Sequence, residues 1–200
     1  MKSYFNLSAC LLFIISGCSV APMNTATTAR TLGIDQNLIT ASLPVTGVKY
    51  ERGITENLDL GVGLESQIGY VLHAFGKYSF LNRKDNGFSL ASFFGAGYGS
   101  GIERSKSVYV GPIFSYRKNS FELFASIRAN YVSWNFAGLT AGNKDDLITI
   151  PSYKNHFFYG QSDLGMNFFN DNWTVTLGAK ILMFPRSSAA TPFGDIAYKF

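Results

Sequence analysis

The sequence predicts an all-β protein, a closed antiparallel up-and-down transmembrane β-barrel of about ten strands, with eight strands as the alternative. Three observations predict it. Apolar residues alternate with polar or small residues over seven segments, which indicates strands rather than helices. Short polar turns separate these segments. After the N-terminal segment, no apolar stretch approaches the roughly 20 residues of a membrane-spanning helix, so a closed sheet is the remaining way to satisfy the backbone inside a bilayer.

The N-terminus predicts export. Lys2 precedes an apolar core that runs from about Leu7 to Ile15, and small residues follow it, which is the pattern of a secretory signal. The run Ile15-Ser16-Gly17-Cys18 resembles the lipobox of bacterial lipoproteins. This resemblance implies that residues 1–17 are a signal peptide and that the Cys18 thiol carries a lipid. The alternative is an ordinary signal peptide with a cysteine at this position by chance.

The cysteine content agrees with a lipoprotein. Cys10 and Cys18 are the only cysteines; the first is removed with the signal, and acylation of the second leaves no thiol for a disulfide. Ser19 stands where an Asp would retain a lipoprotein in the inner membrane, so the resemblance implies the outer membrane. Residues 18–36 are predicted to be a flexible tether, because their Ala, Thr, Ser and Pro cannot bury a core. Residues 37–200 are predicted to form the barrel.

The alternation is clearest after Asn57, where leucine and valine occupy the even positions and acidic or glycine residues the odd ones. Six further segments repeat this pattern. Two less marked strands are predicted near Asn37–Leu43 and Val45–Ile54, and only Pro44 separates them. These two strands decide between ten strands and eight.

The turns predict the direction of the barrel. Short polar turns at 55–57, 82–87, 118–120 and 170–172 alternate with longer or glycine-rich connections at 66–69, 99–106, 138–151 and 185–192. In outer-membrane barrels the short turns lie on the periplasmic side. With an even strand count, both barrel termini are therefore predicted to be periplasmic, beside the lipid anchor.

The C-terminus carries a second resemblance. Ile196, Tyr198 and Phe200 alternate, and Phe200 is the last residue. This resembles the terminal strand signal of outer-membrane β-barrels. The resemblance implies that the barrel-insertion machinery is a partner of this chain.

The cost of a charge in lipid predicts which face of each strand points outward. A Lys or Arg that faces lipid at mid-bilayer costs roughly 2–4 kcal/mol, and the apolar faces carry almost no charge, so they are predicted to face lipid. A soluble barrel with the opposite arrangement is the alternative. The other faces carry six acidic residues, six basic residues and one histidine: Lys49, Glu51, Asp59, Glu65, His73, Lys77, Arg117, Glu122, Arg128, Asp163, Lys180, Asp195 and Lys199.

Hairpin geometry predicts ion pairs among these lumen charges. A two-residue turn at Asp171-Asn172 places Asp163 opposite Lys180, and one at Asn119-Ser120 places Arg117 opposite Glu122. Arg128 is assigned to the same network. Paired charges are predicted to fill a narrow lumen. The alternatives are charges that are hydrated separately, or charges that line a pore.

The sequence predicts neither an enzyme nor a metal or cofactor site. His73, His156 and the loop pair Asp145-Asp146 could serve an outer-membrane hydrolase, although an exposed Asp-Asp is usually a solvated turn. The sequence has no phosphate loop, zinc spacing or basic stripe, so no nucleic-acid partner is expected.

The predicted function is a structural or surface-interaction role, with outer-membrane lipid around the barrel and a partner of unknown identity at the loops. The alternatives are a narrow pore for small solutes and a lipid- or peptide-cleaving enzyme.

Overall fold

The structure is a computed structural model that describes residues 21–66, 69–83, 85–101, 103–136, 139–141, 148–150 and 152–200. The predicted signal peptide, Cys18 and the pair Asp145-Asp146 lie outside these residues. All regular elements of the described part are strands: β1 Asn37–Leu43, β2 Thr46–Gly53, β3 Leu58–Ser66, β4 Tyr70–Leu81, β5 Gly87–Ser100, β6 Glu103–Lys118, β7 Phe121–Phe136, β8 Leu139–Ala141, β9 Ile148–Ile150, β10 Tyr153–Phe169, β11 Trp173–Phe184 and β12 Ser187–Lys199. Within that part no helix has the length and apolarity to cross a membrane.

Ten strands close into one antiparallel barrel, in the order β1-β12-β11-β10-β7-β6-β5-β4-β3-β2. Pairing of β1 with β12 closes it, with Leu38 opposite Lys199. The two less marked strands of the sequence analysis both form, as β1 and β2. The prediction of ten strands is therefore confirmed, and the alternative of eight is wrong. Strands β8 and β9 pair with each other in a separate two-stranded sheet. The sequence prediction missed this hairpin, which lies within the predicted loop 138–151.

The two faces of the strands point as predicted. On β3, the side chains of Leu60 and Val62 are 44% and 50% exposed on the outer surface, whereas Asp59 and Glu65 are buried. The other strands follow the same rule. Eleven of the thirteen predicted lumen residues are buried, and the other two, Arg117 and Lys199, are half-buried. The inverted arrangement of a soluble barrel is therefore wrong for this chain.

The connections define two ends of the barrel. The short-turn end holds the turns after β2, β4, β6 and β10, and also the start of β1 and the end of β12. Asn37 and Phe200 exchange two backbone hydrogen bonds there, each with an N–O distance of 3.0 Å. The loop end holds the long connection between β7 and β10. Both termini of the barrel thus lie together at the short-turn end.

Two of the predicted long loops are largely strand. Within 99–106, β5 continues to Ser100 and β6 begins at Glu103, with Gly99 opposite Ser105. Within 185–192, β12 already begins at Ser187. Backbone pairing does not require apolar side chains, so these ladders continue beyond the point where the alternation fades. The predicted contrast in connection length then rests on the connection between β7 and β10.

The wall of the barrel is uneven in height. Strands β6, β7 and β10 have 16 or 17 residues, whereas β1 and β2 have 7 and 8. At about 3.3 Å per residue and a tilt of about 40°, the long strands rise about 40 Å and the short ones about 18–20 Å. The apolar band of an outer-membrane barrel is about 25 Å tall. The long strands therefore form a raised wall at the loop end, and the hairpin of β1 and β2 forms a low wall.

The predicted tether is not a free chain in its described part. Residues Ala21–Leu32, called the lumen segment below, run inside the barrel. Ala21, Asn24, Ala29 and Arg30 are all buried there. The lack of bulky apolar residues does not leave this segment free, because polar groups of the barrel interior bind it along its length.

Candidate functional site

The lumen is the site with the densest polar chemistry in the described part of the chain, and the lumen segment is its centre. The segment begins near the loop end, where Ala21 packs against Val132 and Tyr159, and it ends at the short-turn end, shortly before β1. Seven charged residues of the barrel donate or accept hydrogen bonds with it: Glu65, Arg128, Lys180, Lys49, Asp59, Glu122 and Lys77. These bonds satisfy backbone groups that would be costly to bury unpaired.

Near the loop end, an anion and two cations hold the start of the segment. The Glu65 carboxylate accepts from the backbone N–H of Met23 at 2.8 Å and from that of Asn24 at 2.8 Å. Arg128 donates to the Pro22 carbonyl at 2.7 Å and to other lumen groups. Lys180 donates to the Met23 carbonyl. The start of the segment is therefore held mainly through its backbone, with the Thr25 hydroxyl as a further acceptor from Arg128.

The middle of the lumen contains an ion-pair cluster. The Lys77 ammonium lies 2.8 Å from the Glu51 carboxylate and 3.1 Å from that of Asp59. All three side chains are buried. Beside this cluster, Lys49 donates to the Ala26 carbonyl at 2.8 Å. The cluster ties three adjacent strands, β2, β3 and β4, together on the inside of the barrel.

Near the short-turn end, the segment provides its one charged side chain. Arg30 donates to the Glu122 carboxylate at 3.0 Å and to the Gly87 carbonyl at 2.7 Å. The Leu32 N–H donates to the Asp59 carboxylate at 3.1 Å. The segment is thus held at both ends and in the middle.

Small side chains let the segment fit. Ala29 packs against Phe93, Tyr109 and Ile113, and Ala26 packs in a separate cluster of lumen aromatics. Two inward-facing glycines provide space: a Cβ on Gly97 would lie 2.7 Å from Pro22, and one on Gly47 would lie 2.8 Å from Asn24. Glycine within a strand often marks the close approach of another backbone. These inward glycines are the sequence signal that could have predicted an occupied lumen.

The predicted register of the first ion pair is present, but its direct contact is not. Asp163 lies opposite Lys180. The Asp163 carboxylate accepts from Gln161 at 3.0 Å and from Ser126 at 3.3 Å, while Lys180 bonds to the lumen segment. No ion pair joins the two within 4 Å among the described residues. The length of the hairpin turn fixes which residues lie opposite each other. It cannot predict that Lys180 binds the Met23 carbonyl, which is 157 positions away in sequence.

The second predicted pair also lies in the predicted register. Arg117 lies opposite Glu122. Glu122 forms an ion pair with Arg30 of the lumen segment. The Arg117 guanidinium lies 4.0 Å above the Phe169 ring and donates to the Asn119 carbonyl. The network is therefore built around the segment, which sequence reasoning had left outside the barrel.

The two histidines lie at different places. His73 is enclosed in the lumen, with Nε2 at 3.5 Å from Glu65 and Nδ1 at 3.4 Å from the Tyr109 hydroxyl. His156 is exposed, and its ring stacks on Tyr131, whose hydroxyl lies 3.0 Å from Nδ1. Among the described residues, no three His, Cys, Asp or Glu side chains are grouped as a metal site would require.

A cavity of about 550 Å³ remains beside the segment, toward the short-turn end. Lys49, Glu122, Thr176 and Asp195 are among its lining residues, so its wall is polar and carries both signs of charge. The lumen is thus occupied but not completely filled.

The residues of the predicted C-terminal signal lie on β12 and just after it. Ile196, Tyr198 and Phe200 all point outward, where they are 54%, 38% and 54% exposed. The Tyr198 ring lies 4.8 Å from that of Trp173 on the neighbouring strand. Together with Trp173 they form an outward apolar patch at the short-turn end.

Comparison with known proteins finds structural likeness only. No protein-family model matches the sequence, and no curated protein matches it. The N-terminal β-barrel domain of OprF from Pseudomonas aeruginosa aligns with 84% of this chain and 99% of its own, at 11% identity and a TM-score of 0.40. Ail, the attachment invasion locus protein of Yersinia pestis, aligns with 82% of this chain and 96% of its own, at 12% identity and a TM-score of 0.43.

Proposed function

We propose that this protein is an outer-membrane β-barrel lipoprotein with a structural or surface-interaction role, and that its own lumen segment blocks the lumen. The observation that carries the proposal is the lumen segment itself, which seven charged residues of the barrel hold in place. A membrane location is supported by the outer surface, where apolar side chains face outward on every barrel strand and outward charges such as Arg52 and Arg104 lie near strand ends. A segment held in this way leaves little room for the passage of solutes.

The raised wall is the proposed surface for a partner. Strands β6, β7 and β10 extend about 15 Å beyond an apolar band of about 25 Å. Tyr153 is 45% exposed on this wall and packs edge-to-face against Trp134. Exposed aromatic residues are frequent in protein interfaces. At the other end, the outward residues Ile196, Tyr198 and Phe200 are proposed to engage the barrel-insertion machinery.

Conductance tests the closed lumen. In planar bilayers, the mature chain should show no steady channel, whereas a variant that lacks Ala21–Leu32 should show regular conductance steps, because the remaining lumen is lined with charged and small side chains. Heat-modifiable gel migration of both proteins controls for barrel folding. Steady conductance of the mature chain, equal to that of the deletion variant, would favour the narrow pore instead.

Lipid labelling tests the proposed acylation of Cys18. Cys18→Ser should abolish incorporation of labelled fatty acid, because the thiol that carries the lipid is removed. Cys10→Ser is the matched control and should keep the label, since Cys10 lies within the predicted signal peptide. Label that persists in Cys18→Ser would contradict acylation at this residue.

No catalytic residue is assigned in this proposal. His73 is enclosed by Glu65, Phe75 and Tyr109, so a lipid or peptide substrate would have to enter the occupied lumen to reach it. His156 is accessible at the loop end. Cleavage of lipids or peptides that is lost on His156→Ala would favour the hydrolase alternative.

A further inference from the structure

The lumen segment has a direction that matters for the lipid anchor. Ala21 packs against Val132 and Tyr159, toward the loop end. At the other extreme, Thr31 donates to the Glu56 carbonyl in the turn after β2, at the short-turn end. Along the sequence, the chain therefore descends through the barrel from the loop end before it enters β1.

The depth of Ala21 can be estimated from the strand beside it. Val132 lies eleven residues along β7 from Phe121, where that strand begins at the short-turn end. At about 3.3 Å per residue and a tilt of about 40°, this is about 28 Å above the short-turn end. Cys18 and Ala21 are three positions apart in sequence. Three positions span at most about 10 Å, so a lipid on Cys18 cannot reach the membrane surface at the short-turn end while the segment occupies the lumen.

We propose that the lumen segment threads the barrel from its loop end, so that acylated Cys18 is anchored in the leaflet at that end, opposite the barrel termini. This inference rests on the proposed acylation of Cys18. It replaces the expectation of an anchor beside the barrel termini. If the short-turn end is periplasmic, the lipid is held in the outer leaflet and the mature N-terminus is presented at the cell surface.

The low wall provides a route for the acyl chains. The hairpin of β1 and β2 rises about 18–20 Å, less than the apolar band of about 25 Å. Asn24 of the segment donates to the Val45 carbonyl at the tip of this hairpin, at 2.6 Å. At the loop end the barrel wall is therefore lowest beside the segment. A lipid attached to Cys18 can pass over this low edge into the membrane.

The contacts of the segment also oppose its withdrawal. Glu65 and Arg128 hold the residues from Pro22 to Thr25 near the loop end, and Arg30 is paired with Glu122 near the short-turn end. Movement of Cys18 to the short-turn end would break all of these bonds and leave several buried charges without partners. Such unpaired buried charges are strongly destabilising.

Epitope tags test the topology in cells. One tag is inserted between Val20 and Ala21, a second within residues 142–147 of the connection between β8 and β9, and a third at Asp171 in the turn after β10. The first two should bind antibody on intact cells, and the third only after the outer membrane is permeabilised. Fatty-acid labelling of the same proteins is measured in parallel.

The two readouts separate the two proposals. A labelled protein whose N-terminal tag behaves like the tag at Asp171 would overturn the threading while acylation stands. An unlabelled protein whose N-terminal tag behaves like the tag in 142–147 would overturn acylation while the threading stands.

Disulfide cross-linking tests the direction in the mature protein. Gly97→Cys with Pro22→Cys should cross-link, because Pro22 packs directly on Gly97: a Cβ there would lie 2.7 Å from the Pro22 ring, which Pro22→Cys removes. Thr31→Cys with Asn82→Cys should also cross-link, because Thr31 Oγ1 and Asn82 Nδ2 are 2.5 Å apart. The exchanged combination, Pro22→Cys with Asn82→Cys, is the matched control and should remain reduced. Cross-linking of the exchanged pair would overturn the proposal. Failure of both expected pairs to cross-link would also overturn it.

Discussion

Leu177→Arg should lower the free energy of unfolding of the barrel in a bilayer by about 2–4 kcal/mol. Leu177 is 53% exposed on the outer face of β11, four residues from its start at the short-turn end. An arginine there would face hydrocarbon in the described arrangement. Urea titration of the protein folded in lipid vesicles measures the change.

Thr176→Arg is the matched control, one residue away at nearly the same depth. Thr176 is buried on the lumen face, opposite Asp195, and it lines the polar cavity. An arginine at this position meets a carboxylate and open space rather than lipid, so the loss should be clearly smaller. Equal losses for the two variants, or a larger loss for Thr176→Arg, would contradict the assignment of the outer face to lipid.

Lys77→Met should destabilise the barrel by about 3–5 kcal/mol, because it removes one partner of a buried ion pair and leaves the other charges unpaired. The Lys77 ammonium lies within 3.1 Å of both the Glu51 and the Asp59 carboxylates. Methionine has a similar length but no charge, so the two carboxylates would face each other in the lumen. The free energy of unfolding is again measured by urea titration.

Two further variants show whether the effect belongs to the cluster. Lys118→Met removes a charge that is exposed at the short-turn end, and it should change stability by no more than about 0.5 kcal/mol. Glu51→Gln combined with Lys77→Met should recover part of the loss, because one of the opposed carboxylates becomes neutral and the effects of residues in contact are not additive. A Lys77→Met protein as stable as Lys118→Met would mean that water, not Lys77, compensates these carboxylates.

The register of the barrel shows how far local reasoning extends. The turn at Asp171-Asn172 was enough to place Asp163 opposite Lys180, because pairing in a hairpin is fixed by the length of its turn. It was not enough to predict a direct contact. Lys180 bonds to the Met23 carbonyl instead, and the two residues are 157 positions apart in sequence. Side chains on a predicted face choose their partners only after the whole lumen has assembled.

The sequence by itself determined the closed barrel, the strand faces and the pairing of neighbouring strands. Each of these follows from a period of two and from turn chemistry, which act over a few residues. Only the tertiary structure decided what occupies the lumen. Residues Ala21–Leu32 carry no apolar period, and the groups that bind them, such as Glu65, Arg128 and Lys180, lie on three different strands, β3, β7 and β11. Those groups converge only when the sheet closes, since closure creates a desolvated interior in which the backbone of a passing segment can satisfy buried charges.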